Sequence, residues 1–153
     1  MRKQLSAFVA FFTVVVFLSA CGSLRETAPS RIGLLPLDSY TLAATALPAD
    51  TTYRVIRSEE EFRANATPSD AAARQPSFSG QMVVAILFKN AVASPLRFNK
   101  AEVAGGTMNV YASTCTGQNC GNSQVLLATT PKVGTVKRVQ FIVNGENKAL
   151  VNL

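Results

Sequence analysis

The sequence predicts an α+β domain built on a mostly antiparallel sheet of about six to seven strands, with one short helix after the first strand. Three observations lead to this prediction. Seven apolar residues follow one another over 82–88, which is typical of a strand covered on both faces. A capping pattern at Ser58 indicates a short helix. Glycine-containing pairs at 105–106 and 144–145 separate apolar runs, as in antiparallel hairpins.

The first strand and the helix are adjacent in the sequence. Residues 53–57 are rich in β-branched and aromatic side chains and predict a strand. Glu61 lies three residues after Ser58, the spacing at which a hydroxyl and a carboxylate cap the first turn of a helix. We therefore expect a helix over 59–66, with Phe62 as its core anchor and Pro68 beyond its end. A second helical turn over 70–74 is compatible with the sequence.

The remaining elements are predicted strands joined mainly by hairpins. In the run that ends at Val143, apolar residues alternate with Arg138, Gln140 and Ile142, so one face is expected to enter the core. Besides the central run, strands are expected over 96–104, 107–114, 124–130, 136–143 and 148–152.

Composition is that of one globular domain and excludes several chemistries. The chain has 153 residues, 48% of them hydrophobic, and contains no histidine. The lack of histidine removes Ser-His-Asp and Cys-His catalysis and histidine-ligated zinc. No phosphate-binding glycine loop or nucleophile elbow occurs. We predict a non-enzymatic protein without metal or cofactor; an enzyme would need a cleft lined by Glu102 or Tyr111.

The N-terminus is predicted to be a secretory signal over 1–20. Arg2 and Lys3 precede an apolar run of 16 residues, which is short of the roughly 20 that span a bilayer as a helix. An uncleaved anchor helix is the alternative. The run ends in Leu-Ser-Ala-Cys, which resembles the lipobox of bacterial lipoproteins. This resemblance implies cleavage before Cys21 and attachment of acyl chains, such as palmitate, to its thiol. Gly22 favours the outer membrane, with the domain facing the periplasm.

The mature chain divides into two predicted regions. Residues 21–51 carry the lipidated N-terminus and a tether, and residues 52–153 form the single α+β periplasmic domain. Three prolines and a lack of periodicity over 22–51 favour a flexible spacer. Its leucines leave open a segment that binds a partner or covers a sheet edge. Removal of Arg2 and Lys3 lowers the net charge from +6 to +4, so we predict no nucleic-acid partner.

Two groups of residues are candidate sites in the domain. Cys115 and Cys120 form an even pair in an exported chain and predict a disulfide that closes a small polar loop. Free thiols or a redox pair are the alternatives, while two cysteines do not supply the four ligands of a zinc site. Five basic residues form a solvated face or bind an anionic lipid, a polysaccharide or an acidic partner, if their strands are neighbours: Arg54, Arg57, Lys132, Lys137 and Arg138.

One family resemblance extends over about residues 53–145. The runs at 53–58, 60–62 and 82–85, in this order, resemble the C-terminal domain of PrcB-type lipoproteins, which are accessory proteins of a bacterial envelope protease complex. The chain departs from that pattern in Ser77-Phe78 and in the insertion that holds Cys115 and Cys120. The resemblance implies a protein-interaction or protease-accessory module in the cell envelope. The alternative function is a binding module for an anionic envelope ligand.

The lipoprotein prediction is tested at Cys21. Cys21→Ser removes the thiol that receives the acyl chains, so the precursor should stay uncleaved and unlabelled. Cys115→Ser should leave membrane attachment intact and free the thiol of Cys120. Fatty-acid labelling and the intact mass of the mature protein measure both effects. A mature protein without acyl mass on Cys21 would contradict the prediction.

Overall fold

A computed structural model describes residues 28–43, 47–117, 120 and 124–153. The predicted signal peptide, the lipobox and Cys21 lie outside these residues. Within them, no helix has the length and apolar character needed to cross a membrane. The described part contains eleven strands and one helix, in this order: β1 (Ser30–Ile32), β2 (Leu35–Pro36), β3 (Tyr40–Leu42), β4 (Thr51–Ile56), α1 (Glu59–Asn65), β5 (Ala66–Pro68), β6 (Gln81–Phe88), β7 (Leu96–Ala104), β8 (Thr107–Thr114), β9 (Val125–Pro131), β10 (Arg138–Val143) and β11 (Glu146–Asn152).

The strands form three sheets. The large sheet has the order β1-β7-β8-β10-β11, the central sheet has the order β2-β9-β6-β4, and the small sheet pairs β3 with β5. Neighbouring strands are antiparallel except β8 and β10, which run parallel. Between these two strands the chain crosses to the central sheet, forms β9 and returns. This crossing connects the two main sheets through the chain itself.

The strand β6 is buried on both faces, as the apolar run over 82–88 predicted. Alternate residues of a strand point to opposite faces, and here they enter two separate clusters. The sandwich core lies between the large and central sheets and contains Ile86 and Phe141. The helix-side core lies on the other face of the central sheet and contains Leu87 and Phe62. The protein is therefore layered as large sheet, central sheet, and helix with small sheet.

The helix α1 begins at the predicted cap. The Ser58 Oγ accepts a hydrogen bond from the Glu61 backbone N–H at 3.2 Å, and a Glu61 carboxylate oxygen accepts one from the Arg57 N–H at 3.1 Å. Phe62 is 2% exposed and is the anchor of the helix, as predicted. The helix ends at Asn65 because Ala66 is extended and starts β5, which pairs with β3. Residues 70–74 form a turn rather than a second helical turn.

Both predicted hairpins are confirmed. Gly105 and Gly106 have positive φ angles of 54° and 77° and join β7 to β8. Asn144 and Gly145, with φ angles of 52° and 83°, join β10 to β11. Two consecutive residues with positive φ match the right-handed twist of the strands they connect. The residue types at these four positions therefore determine which strands become neighbours.

The predicted fold class is wrong. The described chain is mostly β, with eleven strands in three sheets, instead of an α+β domain with one sheet of six to seven strands. The helix follows the fourth strand, not the first. Two physical reasons account for the error. The seven-residue helix covers only one face of β6, and that face only in part. The opposite face is equally apolar, and a second sheet covers it. Four short strands, at 30–32, 35–36, 40–42 and 66–68, have too few residues to show a period of two.

Residues 30–42, which the sequence analysis placed in the tether, pair with the domain. Strand β1 adds to β7 at one edge of the large sheet, and β2 adds to β9 at one edge of the central sheet. Tyr40 is 2% exposed, and its ring centroid lies 5.1 Å from that of Phe62. The sequence analysis left open whether 22–51 is a flexible spacer or a segment that covers a sheet edge. Residues 30–42 cover sheet edges. The ordered unit therefore begins ahead of residue 52.

The packing of the sandwich core is tested at Phe141. Its side chain is fully buried, and its ring centroid lies 5.3 Å from that of Tyr53. Phe141→Ala should lower the free energy of unfolding by about 3–5 kcal/mol, because the substitution leaves a cavity between the large and central sheets. Leu150 is 52% exposed, so Leu150→Ala should change it by no more than about 0.5 kcal/mol. Denaturant unfolding of the full chain measures both; equal losses would contradict the layered arrangement.

Candidate functional site

Three of the five predicted basic residues line one concavity, called here the basic concavity. Arg57 follows β4, Lys132 follows β9 and Lys137 precedes β10. The concavity has a volume of about 270 Å³, and its other walls are largely apolar. It lies at the end of the sandwich where β6 begins. Besides the three cations, the lining residues are Met82, Val133, Gly134, Val136 and Leu153.

Backbone hydrogen bonds hold the loop over 132–137 at both ends. The Lys132 N–H donates to the Gly80 carbonyl at 2.9 Å, and the Lys137 N–H donates to the Gly106 carbonyl at 2.8 Å. Within the loop, the Val136 N–H donates to the Val133 carbonyl at 3.0 Å. The Lys132 ammonium group donates to the Phe78 carbonyl. The two lysines are thus carried by a loop whose ends are fixed to neighbouring strands.

The three cations of the basic concavity form no ion pair within the described residues. Within the described residues, no carboxylate lies within 4.0 Å of the side-chain nitrogens of Arg57, Lys132 or Lys137. A Glu61 carboxylate oxygen accepts from the Arg57 backbone N–H, where it serves the helix cap. Like charges that share a concavity with apolar walls raise the local electrostatic potential. The arrangement is therefore suited to an anion.

The other two predicted basic residues lie elsewhere. Arg54 lies opposite Ala85 in the central sheet, on the face of β4 that is directed away from the sandwich core. Arg138 precedes the fully buried Val139, so alternation places its side chain on the outer face of the large sheet. The sequence analysis grouped the five on the condition that their strands are neighbours; in the structure they lie on three surfaces. Only side chains from the loops at one end of the sandwich converge.

The outer face of the large sheet brings Glu102 and Tyr111 close to Lys100. The Lys100 Nζ donates to a Glu102 carboxylate oxygen at 2.8 Å and lies 4.5 Å from the centroid of the Tyr111 ring. The hydrogen bond from Lys100 lowers the pKa of Glu102, against the opposing effect of desolvation. Arg31 and Tyr111 lower it further. Glu102 is thus held as a carboxylate and lacks the raised pKa of a general acid.

A larger concavity of about 660 Å³, called here the aromatic concavity, lies beside α1. Tyr40, Phe62 and Phe78 form its apolar wall, and the Glu59–Arg63 ion pair lies among its polar lining. The sequence analysis missed this feature because Tyr40 was assigned to the tether. The signal available in the sequence was Tyr40 itself, because a large aromatic side chain is unusual in a flexible spacer and indicates packing.

Cys115 and Cys120 lie at disulfide distance, with their Cα atoms 5.5 Å apart. Cys115 is 9% exposed, and its N–H donates to the Pro95 carbonyl at 2.8 Å. The pair lies at the end of β8, near the start of β9. It is therefore at the opposite end of the sandwich from the basic concavity.

The strand β11 forms an open edge of the large sheet. It pairs with β10 on one side, while the edge at the other end of this sheet is the three-residue β1. Leu150 is 52% exposed and lies on the outer face, opposite Gln140. Glu146 and Lys148 form an ion pair at the start of the strand. From Ala149 to Asn152 the strand carries no charge. The sequence showed the strand but not that it would lie at an edge.

The described residues contain no group of three or more cysteine, aspartate or glutamate residues placed to hold a metal ion. No family model, no curated protein and no solved structure matches the chain. The relationship to PrcB-type lipoproteins and the anchor at Cys21 therefore stay predictions.

The support of the basic concavity is tested at Gly106. Its φ angle is 77°, and a Cβ atom there would lie 3.3 Å from the Thr135 carbonyl oxygen. Gly106→Ala should therefore lower the free energy of unfolding by about 1–3 kcal/mol. Gly134→Ala, in the same loop, meets no atom within 4 Å and serves as the control. Thermal unfolding of the full-length variants measures the difference; equal effects would contradict the close approach of the loop to Gly106.

Proposed function

We propose that the chain is a lipid-anchored, non-enzymatic cell-envelope protein whose β-sandwich binds a protein partner through the edge strand β11. The anchor is the lipid on Cys21, in the outer membrane, and the sandwich faces the periplasm. The resemblance to PrcB-type lipoproteins favours a subunit of an envelope protease complex as the partner. The lack of histidine and the lowered pKa of Glu102 support a binding role rather than catalysis.

The pairing of β1 with the large sheet bears on where the sandwich would act. Residues between Cys21 and Ser30 are the only chain between the proposed lipid and the first strand. Nine residue steps span at most about 30 Å when fully extended. The sandwich would therefore stay within that distance of the bilayer surface. A partner would be a protein of the same membrane or one recruited to it.

The observation that carries the proposal is the open edge of β11. An edge strand presents unpaired backbone N–H and C=O groups, to which an extended segment of another chain can add as a further strand. Seven residues make β11 the longest edge in the described sheets, and Leu150 offers apolar contact beside it. The edges of the central sheet are β2, with two residues, and β4, with six. We infer that the partner supplies an extended, partly apolar segment.

The proposal is tested by crosslinking followed by amide exchange. A photoreactive amino acid replaces Leu150 in one variant and Leu35, which is 44% exposed on β2, in the control. In intact cells the Leu150 position should yield one discrete protein adduct and the Leu35 position should not. With that protein purified, amide exchange over 146–152 should slow on binding, because the backbone groups of β11 become paired.

Two results would contradict the proposal. Adducts of equal yield at Leu150 and Leu35 would show that the partner contacts the protein without preferring the edge formed by β11. Unchanged amide exchange over 146–152 in the presence of the crosslinked protein would show that β11 does not pair with it.

A further inference from the structure

We propose that the basic concavity is a binding site for a phosphate group, separate from the protein-binding edge. The three cations come from two segments, the end of β4 and the loop over 132–137, and line one space. They are unmatched by carboxylates within the described residues. A solvated basic face would leave such side chains spread over a convex surface. Here the walls of one concavity include Met82, Val133 and Val136 beside the three cations.

The number and position of the charges favour phosphate over a carboxylate. One carboxylate carries a single charge and would leave two of the three cations unbalanced. A phosphate monoester carries about −1.5 to −2 charges near neutral pH and offers three strong acceptor oxygens. Each oxygen can accept from a different cation. Arginine binds two phosphate oxygens through its planar fork, and lysine acts as a point charge.

The size of the space also bears on the ligand. A volume of about 270 Å³ is several times the roughly 30 Å³ that a water molecule occupies in the liquid. It therefore accommodates a phosphate group together with the first atoms of an ester, which would contact the apolar walls. A phosphate monoester is present both in soluble phosphate esters and in phosphatidate, the phospholipid whose headgroup is the phosphate itself. The shared chemistry is the phosphate, and the test separates the two sources.

The backbone makes the site available before a ligand arrives. The two hydrogen bonds at Gly80 and Gly106 fix the ends of the loop, so binding orders three side chains rather than a loop. Gly106 permits the close approach of this loop, since its missing Cβ leaves room for the Thr135 carbonyl. The cost in conformational entropy is thereby confined to side-chain rotamers.

The experiment measures how fast the lysines of the full chain are acetylated, residue by residue, by mass spectrometry. The protein is held in lipid nanodiscs of phosphatidylcholine. The soluble probe is glycerol 3-phosphate, and the membrane probe is the replacement of part of the phosphatidylcholine by phosphatidate, which carries a phosphate monoester. A ligand at twice its dissociation constant occupies two thirds of the sites, so acetylation of Lys132 and Lys137 should slow about threefold. Lys89, exposed at the other end of β6, is the internal control.

Two variants with the same change of charge distinguish a site from general attraction. Arg57→Gln removes one cation of the basic concavity and should weaken binding about tenfold, so that protection of both lysines is largely lost. Arg138→Gln removes a cation on the outer face of the large sheet and should leave the protection unchanged. Thermal unfolding of each variant shows that the fold is retained.

Protection by glycerol 3-phosphate supports a soluble ester as the source, and protection by phosphatidate alone supports a lipid headgroup. The proposal is overturned if neither probe protects Lys132 and Lys137. It is equally overturned if Lys89 is protected to the same degree, or if Arg57→Gln and Arg138→Gln reduce protection equally, because both results would describe attraction by net charge only.

Discussion

Burial of β6 on both faces is the constraint on which the rest of the structure depends. Seven consecutive apolar side chains project alternately to two sides of the central sheet, and neither side can be left in water. One side is covered by the large sheet and the other by α1 with the small sheet. Each cover consists of elements that are distant in sequence. The layered arrangement follows from this single strand.

The segment over 28–43 contributes to both covers and to the edges. Strands β1 and β2 close one side of the two main sheets, and Tyr40 fills part of the helix-side core. On the opposite side, β4 and β11 are the last strands of their sheets in the part of the chain that the structure describes. The sandwich therefore has a closed side and an open side. Closing one side of a sandwich with short strands is a known way to limit unwanted pairing. What remains open is the surface on which the proposed protein contact depends.

The two ends of the sandwich differ in chemistry because different loops converge there. One end gathers the loop over 132–137, the turn at Gly106 and the end of β4, and with them three cations that form no ion pair among the described residues. The other end carries Cys115 and Cys120 at disulfide distance. The basic concavity shares Met82 and Val136 with the sandwich core, while its cations lie on exposed segments at the end of the sheets. Residues suited to binding are commonly carried in this way by a rigid scaffold.

The sequence by itself determined the local features. The continuous run of β6, the cap at Ser58, the hairpin turns and the alternation in β10 all follow from neighbouring residues, and each is present in the structure. Side-chain period, capping spacing and positive φ are properties of short segments, so they can be read from the sequence. These local patterns predict that a face is buried, but they do not predict which part of the chain covers it.

Only the tertiary structure decided how the elements were partitioned. It assigned the strands to two main sheets and a small one, added the short strands β1, β2 and β3 within the predicted tether, and separated Arg54 and Arg138 from the other three cations. These outcomes depend on contacts between residues far apart in the chain. A strand of two or three residues has no readable period, and the direction of a loop side chain depends on what its backbone bonds to. The sequence could therefore name the basic residues, but only the packing of the sheets selected Arg57, Lys132 and Lys137 as one site.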